Sequence, residues 1–123
     1  MKVALVTGAS SGLGSELALE IAKINDIDKI ILIARRESRL NELAVKIGSK
    51  ARGLALDITK DGMLNDIDKA LGDDELVFAV NCAGMGKMGA VGLPDQTQTS
   101  MIDLNCTALT RLCAYFASKM PIG

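Results

Sequence analysis

The chain has 123 residues, of which 49% are apolar, and a formal net charge of −1. This length and composition favour one folded domain with its own core, and the absence of a basic tract argues against a nucleic-acid surface. No apolar run approaches the ~20 residues of a membrane helix. The chain contains no histidine, which excludes a Ser-His-Asp triad and a histidine-ligated metal, so we expect no metal site.

The number and spacing of the cysteines indicate the redox state of the compartment in which the protein is located. Cys82, Cys106 and Cys113 are odd in number and lack metal-ligand spacing. The N-terminus does not have the pattern of a secretion signal. We therefore expect reduced thiols and a cytoplasmic location.

The first half of the chain predicts two strand–helix units. The apolar runs Lys2–Thr7 and Lys29–Ala34 are typical of parallel strands buried on both faces. Between them, apolar residues recur at helical spacing up to a stop near Asn25: Leu13, Leu17, Ile21 and Ile24. A second helical face follows the second strand and is predicted to end at Gly48: Leu40, Leu43, Ala44 and Ile47.

The second half predicts two more units. Ala51–Asp57 is the third strand, weakened by Gly53, and Leu76–Asn81 is the fourth. The helix between them has Thr59 as its candidate N-cap, Gly72 as its stop, and an apolar face formed by Leu64, Ile67 and Leu71. After a glycine-rich loop at Gly84–Pro94, a long helix is predicted from about Asp95 to Lys119.

The order βαβαβαβα is typical of an α/β fold with a doubly wound parallel sheet and right-handed crossovers. We expect one domain over residues 1–123, with its strands in the order 3-2-1-4. Strands one and four would then flank the point where the strand order reverses, and ligands of open α/β sheets bind there.

A glycine-rich turn directly follows the first strand: Thr7-Gly8-Ala9-Ser10-Ser11-Gly12-Leu13-Gly14. Glycines allow a sharp bend and a close approach of the backbone to a ligand. The next helix aims its free N–H groups and positive dipole end at the same place, which suits a pyrophosphate. The turn therefore predicts a dinucleotide site.

This turn, Asp57-Ile58 and Asn81-Cys82-Ala83-Gly84 together resemble the classical branch of the short-chain dehydrogenase/reductase family. The resemblance covers the whole chain and implies a Rossmann-type, NAD(P)-binding oxidoreductase. It implies that the turn holds the pyrophosphate and nearby ribose through Gly8, Ser10, Ser11, Gly12, Leu13 and Gly14. The same likeness assigns Asp57 to the adenine edge and Ile58 to its pocket, and it places Asn81, Ala83 and Gly84 near the cofactor.

Two of these positions have other interpretations. Asp57 could instead cap the next helix. Cys82 departs from the family's second asparagine, and we interpret it as a small buried residue, because no histidine is present to activate it as a nucleophile.

Arg35 and Arg36 distinguish between NADP and NAD as the predicted cofactor. An acidic residue about 20 positions beyond the glycine turn would favour NAD. The chain has Ala34 at that place, followed by Arg35 and Arg36. A guanidinium group matches a 2′-phosphate, so we predict NADP, with Arg35 as the main contact and NAD as the alternative. The arginines could also be a solvated helix start, and Glu37 could weaken the site.

The family's chemistry is hydride transfer between a nicotinamide and a carbonyl or alcohol substrate. The resemblance assigns a tyrosine as general acid/base, a lysine that lowers its pKa, a serine that binds the substrate oxygen, and an asparagine that anchors a water. Asn105 matches this asparagine, although it could also belong to a polar helix stripe. We do not assign Tyr115 and Lys119 to the Y-x-x-x-K motif, because no serine-bearing strand fits between Asn105 and Tyr115.

We therefore expect the chain to be the N-terminal half of a family member, truncated before the next strand and unable to catalyse alone. Met120-Pro121-Ile122-Gly123 resembles the turn into that strand. The long helix is apolar around most of its circumference, so we expect a homo-oligomer formed through helix 95–119 and the open edge of strand 76–81. The alternatives are a dinucleotide-binding module without catalysis, and a Rossmann-like domain of another class such as a methyltransferase, which Arg35 and Arg36 disfavour.

Overall fold

Strands and helices alternate along the chain in a computed structural model that describes residues 1–10, 12–84 and 95–120, with the backbone alone at 95–98. The strands are β1 (Lys2–Thr7), β2 (Lys29–Ala34), β3 (Ala51–Ala55) and β4 (Glu75–Asn81). The helices are α1 (Gly12–Ala22), α2 (Glu37–Ile47), α3 (Met63–Leu71), α4 (Asp95–Ile102) and α5 (Leu109–Lys119), and a π-helical turn over Asp103–Ala108 joins the last two.

The four strands form one parallel sheet in the order β3-β2-β1-β4, which confirms the predicted fold and strand order. β1 is central and pairs with β2 on one side and β4 on the other. Its pairing with β4 shifts by one residue between Val3 and Ala4. The carboxyl ends of β1 and β4 therefore lie side by side, with Thr7 opposite Asn81.

The core has two layers, one on each face of the sheet. Successive strand residues point to opposite faces, so Val3 and Leu5 of β1 pack in one layer and Ala4 and Val6 in the other. The first layer is closed by residues of α3 and α5, and the second by residues of α1 and α2. Burial on both faces explains the unbroken apolar runs of β1 and β2.

The packing face of α1 differs from the prediction. The buried residues are Gly14, Ala18 and Ile21, while Leu13 is 68% exposed and Ile24 is also exposed. Gly14 has no side chain and Ala18 has only a methyl group, so this face of α1 can lie close to the sheet while the larger Leu13 faces outward. The helix ends at Ala22, before the predicted stop at Asn25, because the next two N–H groups bond to carbonyls three residues back.

The start of α3 also differs from the prediction. Thr59 does not cap this helix, which begins at Met63 after Gly62 in a left-handed conformation (φ 86°). The Thr59 hydroxyl instead donates to the Asp57 carboxylate, and this local turn ends the third strand at Ala55, not at Asp57. The predicted stops at Gly48 and Gly72 are confirmed, since each N–H bonds to a carbonyl of the preceding helical turn.

The long helix is present over the predicted range, with the π-helical turn in its middle. Ala108, Leu112 and Phe116 are buried against the sheet. Ile102 and Leu109 are 58% and 38% exposed, so only part of the apolar circumference is covered. Across the residues that are described, no helix combines the length and apolarity needed to cross a bilayer.

Candidate dinucleotide-binding site

The turn between β1 and α1 is packed so tightly that it requires glycine. Gly8 has φ +68°, and a Cβ there would lie 2.6 Å from the Ala83 nitrogen and the Cys82 carbonyl carbon. A Cβ on Gly14 would collide with the carbonyl oxygen of Gly8. The turn is thus held between the start of α1 and the end of β4, and its backbone forms the floor of the site. Gly12 opens α1 with φ +53°, and Ser11 lies outside the described residues.

Thr7 joins the ends of β1 and β4. Its buried hydroxyl donates to Asn81 Oδ1 (3.4 Å) and accepts from the Ala83 N–H (3.4 Å). The Cys82 N–H donates to the Thr7 carbonyl at 3.2 Å. The sequence predicts a small buried residue at Cys82, whereas the structure shows it half-buried. Its Cβ lies 3.3 Å from the ideal Cβ position of Gly14.

A cavity of about 700 Å³ opens at the carboxyl ends of the strands. This volume suits a small-molecule ligand, and its place at the point of strand-order reversal is where open α/β sheets bind ligands. Most of the predicted cofactor-binding residues line it: Gly8, Ser10, Leu13, Gly14, Arg35, Arg36, Asp57, Ile58, Asn81, Ala83 and Gly84.

Two arginines line the cavity next to the end of β2. Arg35 and Arg36 follow β2 directly, are exposed, and line the cavity wall. Within the part of the chain that is described, neither arginine forms an ion pair, with Glu37 or any other carboxylate. The N-cap position of α2 is Arg36, whose side chain makes no capping bond. Both arginines therefore line the cavity without a carboxylate partner among the described residues.

Asp57 is fixed by a local turn. Its Oδ1 accepts hydrogen bonds from the Thr59 N–H (3.0 Å) and hydroxyl (2.6 Å). Burial pushes the pKa of Asp57 upward, but these bonds and the charges of Arg35 and Lys60 outweigh it and hold that pKa below its ordinary value. Because α3 begins at Met63, Asp57 caps this turn and not the helix, so the alternative interpretation is wrong.

Asn105 lies beside the cavity, on the π-helical turn. A Cβ on Gly84 would come within 3.2 Å of its Oδ1, so the asparagine is adjacent to the end of β4. The nearby residues Ser100, Asp103 and Leu104 line the cavity itself. π-Helical turns are frequent at functional sites. Residues 85–94 of the predicted glycine-rich loop, and residues 121–123, lie outside the described residues.

Tyr115 and Lys119 belong to a different cluster. The Tyr115 hydroxyl donates to Asp68 Oδ1 on α3 (2.6 Å), and Lys119 Nζ lies 3.2 Å from the same oxygen. Burial and the Asp68 carboxylate raise the pKa of Tyr115, whereas a tyrosine base needs a lowered pKa. Neither residue is among the described residues that line the cavity.

Sequence reasoning missed several residues at the cavity: Ile33, Ala34, Leu56, Thr59, Lys60, Ser100, Asp103 and Leu104. Ile33 and Ala34 could have been found, because they end a strand whose neighbours carry the motifs. Lys60 could not, since its position depends on the Asp57 turn. No three Cys, Asp or Glu side chains come together as possible metal ligands within the described ranges.

Comparison with known proteins assigns the family. The sequence model of the short chain dehydrogenases matches residues 2–122. An uncharacterised oxidoreductase of Staphylococcus epidermidis is 35% identical over 107 residues, covering 85% of this chain and 46% of its own length. An NADP-dependent 3-hydroxy acid dehydrogenase of Schizosaccharomyces pombe is 30% identical over 129 residues, covering 98% of this chain and 48% of its own.

A solved structure agrees with the sequence comparisons. A short-chain dehydrogenase from Sphingobium yanoikuyae, in complex with NADPH, superimposes with a TM-score of 0.83 at 33% identity, covering 96% of this chain and 48% of that chain. The chain belongs to the short-chain dehydrogenase/reductase family, whose members are oxidoreductases that bind a nicotinamide dinucleotide. It spans about half the length of the relatives described here.

Proposed function

We propose that this chain is the dinucleotide-binding domain of an NADP-dependent oxidoreductase that transfers hydride between a nicotinamide and a small carbonyl or alcohol substrate. The observation that carries the proposal is the cavity at the carboxyl ends of the strands, with the glycine turn on its floor and Arg35 and Arg36 in its wall. When bound, the dinucleotide would supply the hydride donor or acceptor.

The residues fit such a cofactor. Close packing brings Gly8 and Gly14 together at the N-terminus of α1, and the first N–H groups of a helix have no partner within it and suit a pyrophosphate. Ser10 adds a hydroxyl group to the same wall, and Ser11 and Gly12 belong to the same turn of the sequence. Asp57 and Ile58 line the side proposed for adenine, and Asn81, Ala83 and Gly84 line the side nearer β4.

Electrostatics favour NADP over NAD. No acidic residue ends β2, where a carboxylate would bind a ribose 2′-hydroxyl and repel a phosphate. The two cations that follow β2 match a phosphate dianion instead. The NADP-dependent relative and the NADPH complex of a neighbour point the same way.

We infer that the 123 residues alone do not catalyse the reaction. Tyr115, the only tyrosine, is hydrogen bonded to Asp68 and has a raised pKa, so it is not prepared to accept or donate a proton at the nicotinamide. Asn105 is the chain's own candidate for the proton relay, through a water near Gly84. A binding module without catalysis is the second candidate, and the same Tyr115–Asp68 bond favours it.

Two further properties belong to the proposal. The outward face of α4 and α5, with Ile102 and Leu109, and the edge strand β4, with Phe78 44% exposed, support a homo-oligomer. Cys82, Cys106 and Cys113 are unpaired, which supports a reducing, cytoplasmic location.

The test is a titration of the chain with NADPH and, in parallel, NADH, followed by nicotinamide fluorescence. We expect preferential NADPH binding that the double variant R35Q/R36Q abolishes. The R39Q variant is the control, because Arg39 is exposed on α2 and outside the cavity lining. A preference for NADH would overturn the choice of cofactor, and binding of neither would overturn the proposal that this chain forms the site.

A further inference from the structure

The turn after β3 places a lysine in the cavity wall. The Lys60 N–H donates to the Asp57 carbonyl at 3.1 Å, which closes a tight turn, and Thr59 bonds to the Asp57 carboxylate within it. The turn fixes the backbone of Lys60 beside Asp57. Lys60 is exposed and lines the same cavity as Arg35 and Arg36.

Asp57 brings a negative charge into the same cavity wall as Arg35 and Lys60. Its carboxylate is ionised at neutral pH, since its pKa is held below the ordinary value. An uncompensated carboxylate there would repel a phosphate and attract Arg35. Asp57 forms no direct ion pair with Arg35 or Lys60 in the described part of the chain, so these charges act on one another through space.

We propose that Lys60 is a further specificity-determining residue for NADP: its ammonium group offsets the Asp57 carboxylate, which leaves Arg35 available to the 2′-phosphate. The inference rests on the proposed function, because it assumes that the ligand carries that phosphate. Lys60 acts here through Asp57 and is a positioning residue. Its role differs from that of Arg35 and Arg36, whose guanidinium groups bind the phosphate directly.

The test compares K60Q with K69Q, in which an exposed lysine of α3 outside the cavity lining is changed. Affinities for NADPH and NADH are measured for both, and the readout is their ratio. We expect K60Q to weaken NADPH binding about fivefold and leave NADH binding unchanged, since exposed charge pairs contribute up to about 1 kcal/mol, while K69Q changes neither. Raising the salt concentration should narrow the difference in NADPH affinity between K60Q and the unmodified chain, because salt screens the charges.

Two more variants test the mechanism. D57N/K60Q should recover most of the lost preference for NADPH, because the charge that Lys60 offsets is gone, and K60R should retain the preference. The inference is overturned if K60Q keeps its NADPH affinity, if it weakens both cofactors equally, or if D57N/K60Q recovers nothing. If the unmodified chain does not prefer NADPH, the proposed function fails, and this inference fails with it. If the preference is present but K60Q retains it, only this inference fails.

Discussion

The phenol of Tyr115 on α5 donates a 2.6 Å hydrogen bond to the Asp68 carboxylate on α3, and Lys119 approaches the same oxygen. The ammonium of Lys119 also lies 5.7 Å from the centre of the Tyr115 ring. A tyrosine and a lysine at the family's catalytic spacing are therefore used here to fasten two helices together on one face of the sheet.

The variant Y115F should lower the free energy of unfolding by about 0.5–1 kcal/mol, the small end of the range for a hydrogen bond, because both side chains are partly exposed. Cofactor binding should not change. Thermal unfolding measures the first effect and fluorescence titration the second, with K69Q on α3 as the matched control. A loss of NADPH affinity in Y115F would contradict the separation of this cluster from the cofactor site.

The same contact predicts a pH dependence. The hydrogen bonds from Tyr115 and Lys119 lower the pKa of Asp68 below 3.8, so its contribution is present above that pH and is lost as the pH falls through the lowered value. The pKa of Tyr115 is raised above 10.0, so its contribution is complete below pH 10.0 and is lost as the pH rises through the raised value. Unfolding measured from acid to neutral pH should therefore show a shallower acid slope in Y115F than in the unmodified chain. Equal slopes would contradict the assignment.

The variant G14A should disrupt the cofactor turn, because its Cβ would meet the Gly8 carbonyl oxygen. We expect a loss of stability of about 1–3 kcal/mol, as for overpacking, and loss of NADPH binding. G48A is the control: Gly48 has φ +95° with open space around it, so it carries backbone strain without a clash and lies away from the cavity. G48A should be destabilised but still bind NADPH, and loss of binding in both variants would indicate a general folding defect instead.

The variant T7V should weaken both the fold and the site. It removes a buried hydroxyl and leaves the Ala83 N–H without that acceptor, which should cost about 0.5–1.5 kcal/mol because both bonds are long. T7S keeps the hydroxyl and should retain most of the NADPH affinity. The free energy of unfolding and the NADPH affinity are measured for T7V and T7S in parallel. If the two variants have the same stability and affinity, the hydroxyl does not organise the end of β4.

The variant L109K places a charge on the outward face of the long helix. If the chain self-associates through this face, sedimentation should show a shift toward the monomer with no change in helix content. V45K is the control, because Val45 is exposed on α2, on the other side of the sheet. If the unmodified chain sediments as a monomer, the proposed interface is wrong.

The sheet was predictable from the sequence because β1 and β2 are buried on both faces and therefore read as unbroken apolar runs. The packing face of α1 was not predictable by the same reasoning. Hydrophobicity alone favoured Leu13, whereas the close approach of α1 to the sheet selected Gly14 and Ala18. Helical periodicity reports which residues are apolar, and it does not report how near two elements come.

The cofactor motifs were readable because each lies directly after a strand, so that topology alone brings them to one edge of the sheet. Thr59 and Lys60 show where this reasoning ends. The position of Thr59 upstream of a helix predicts an N-cap, but a shorter-range bond to Asp57 competes successfully for its hydroxyl. That competition depends on local geometry, and the spacing of residue types does not encode it.

The packing of Gly8 against Cys82 and Ala83 has a consequence for the order of folding. Thr7 and Asn81, which join the two sides of the site, are 74 positions apart in the chain. The glycine turn and its supporting wall are thus brought together by a contact of long sequence range, and contacts of such long range form slowly. A nucleotide that bound only the finished site would therefore stabilise the native state after β4 has docked beside β1, and not before.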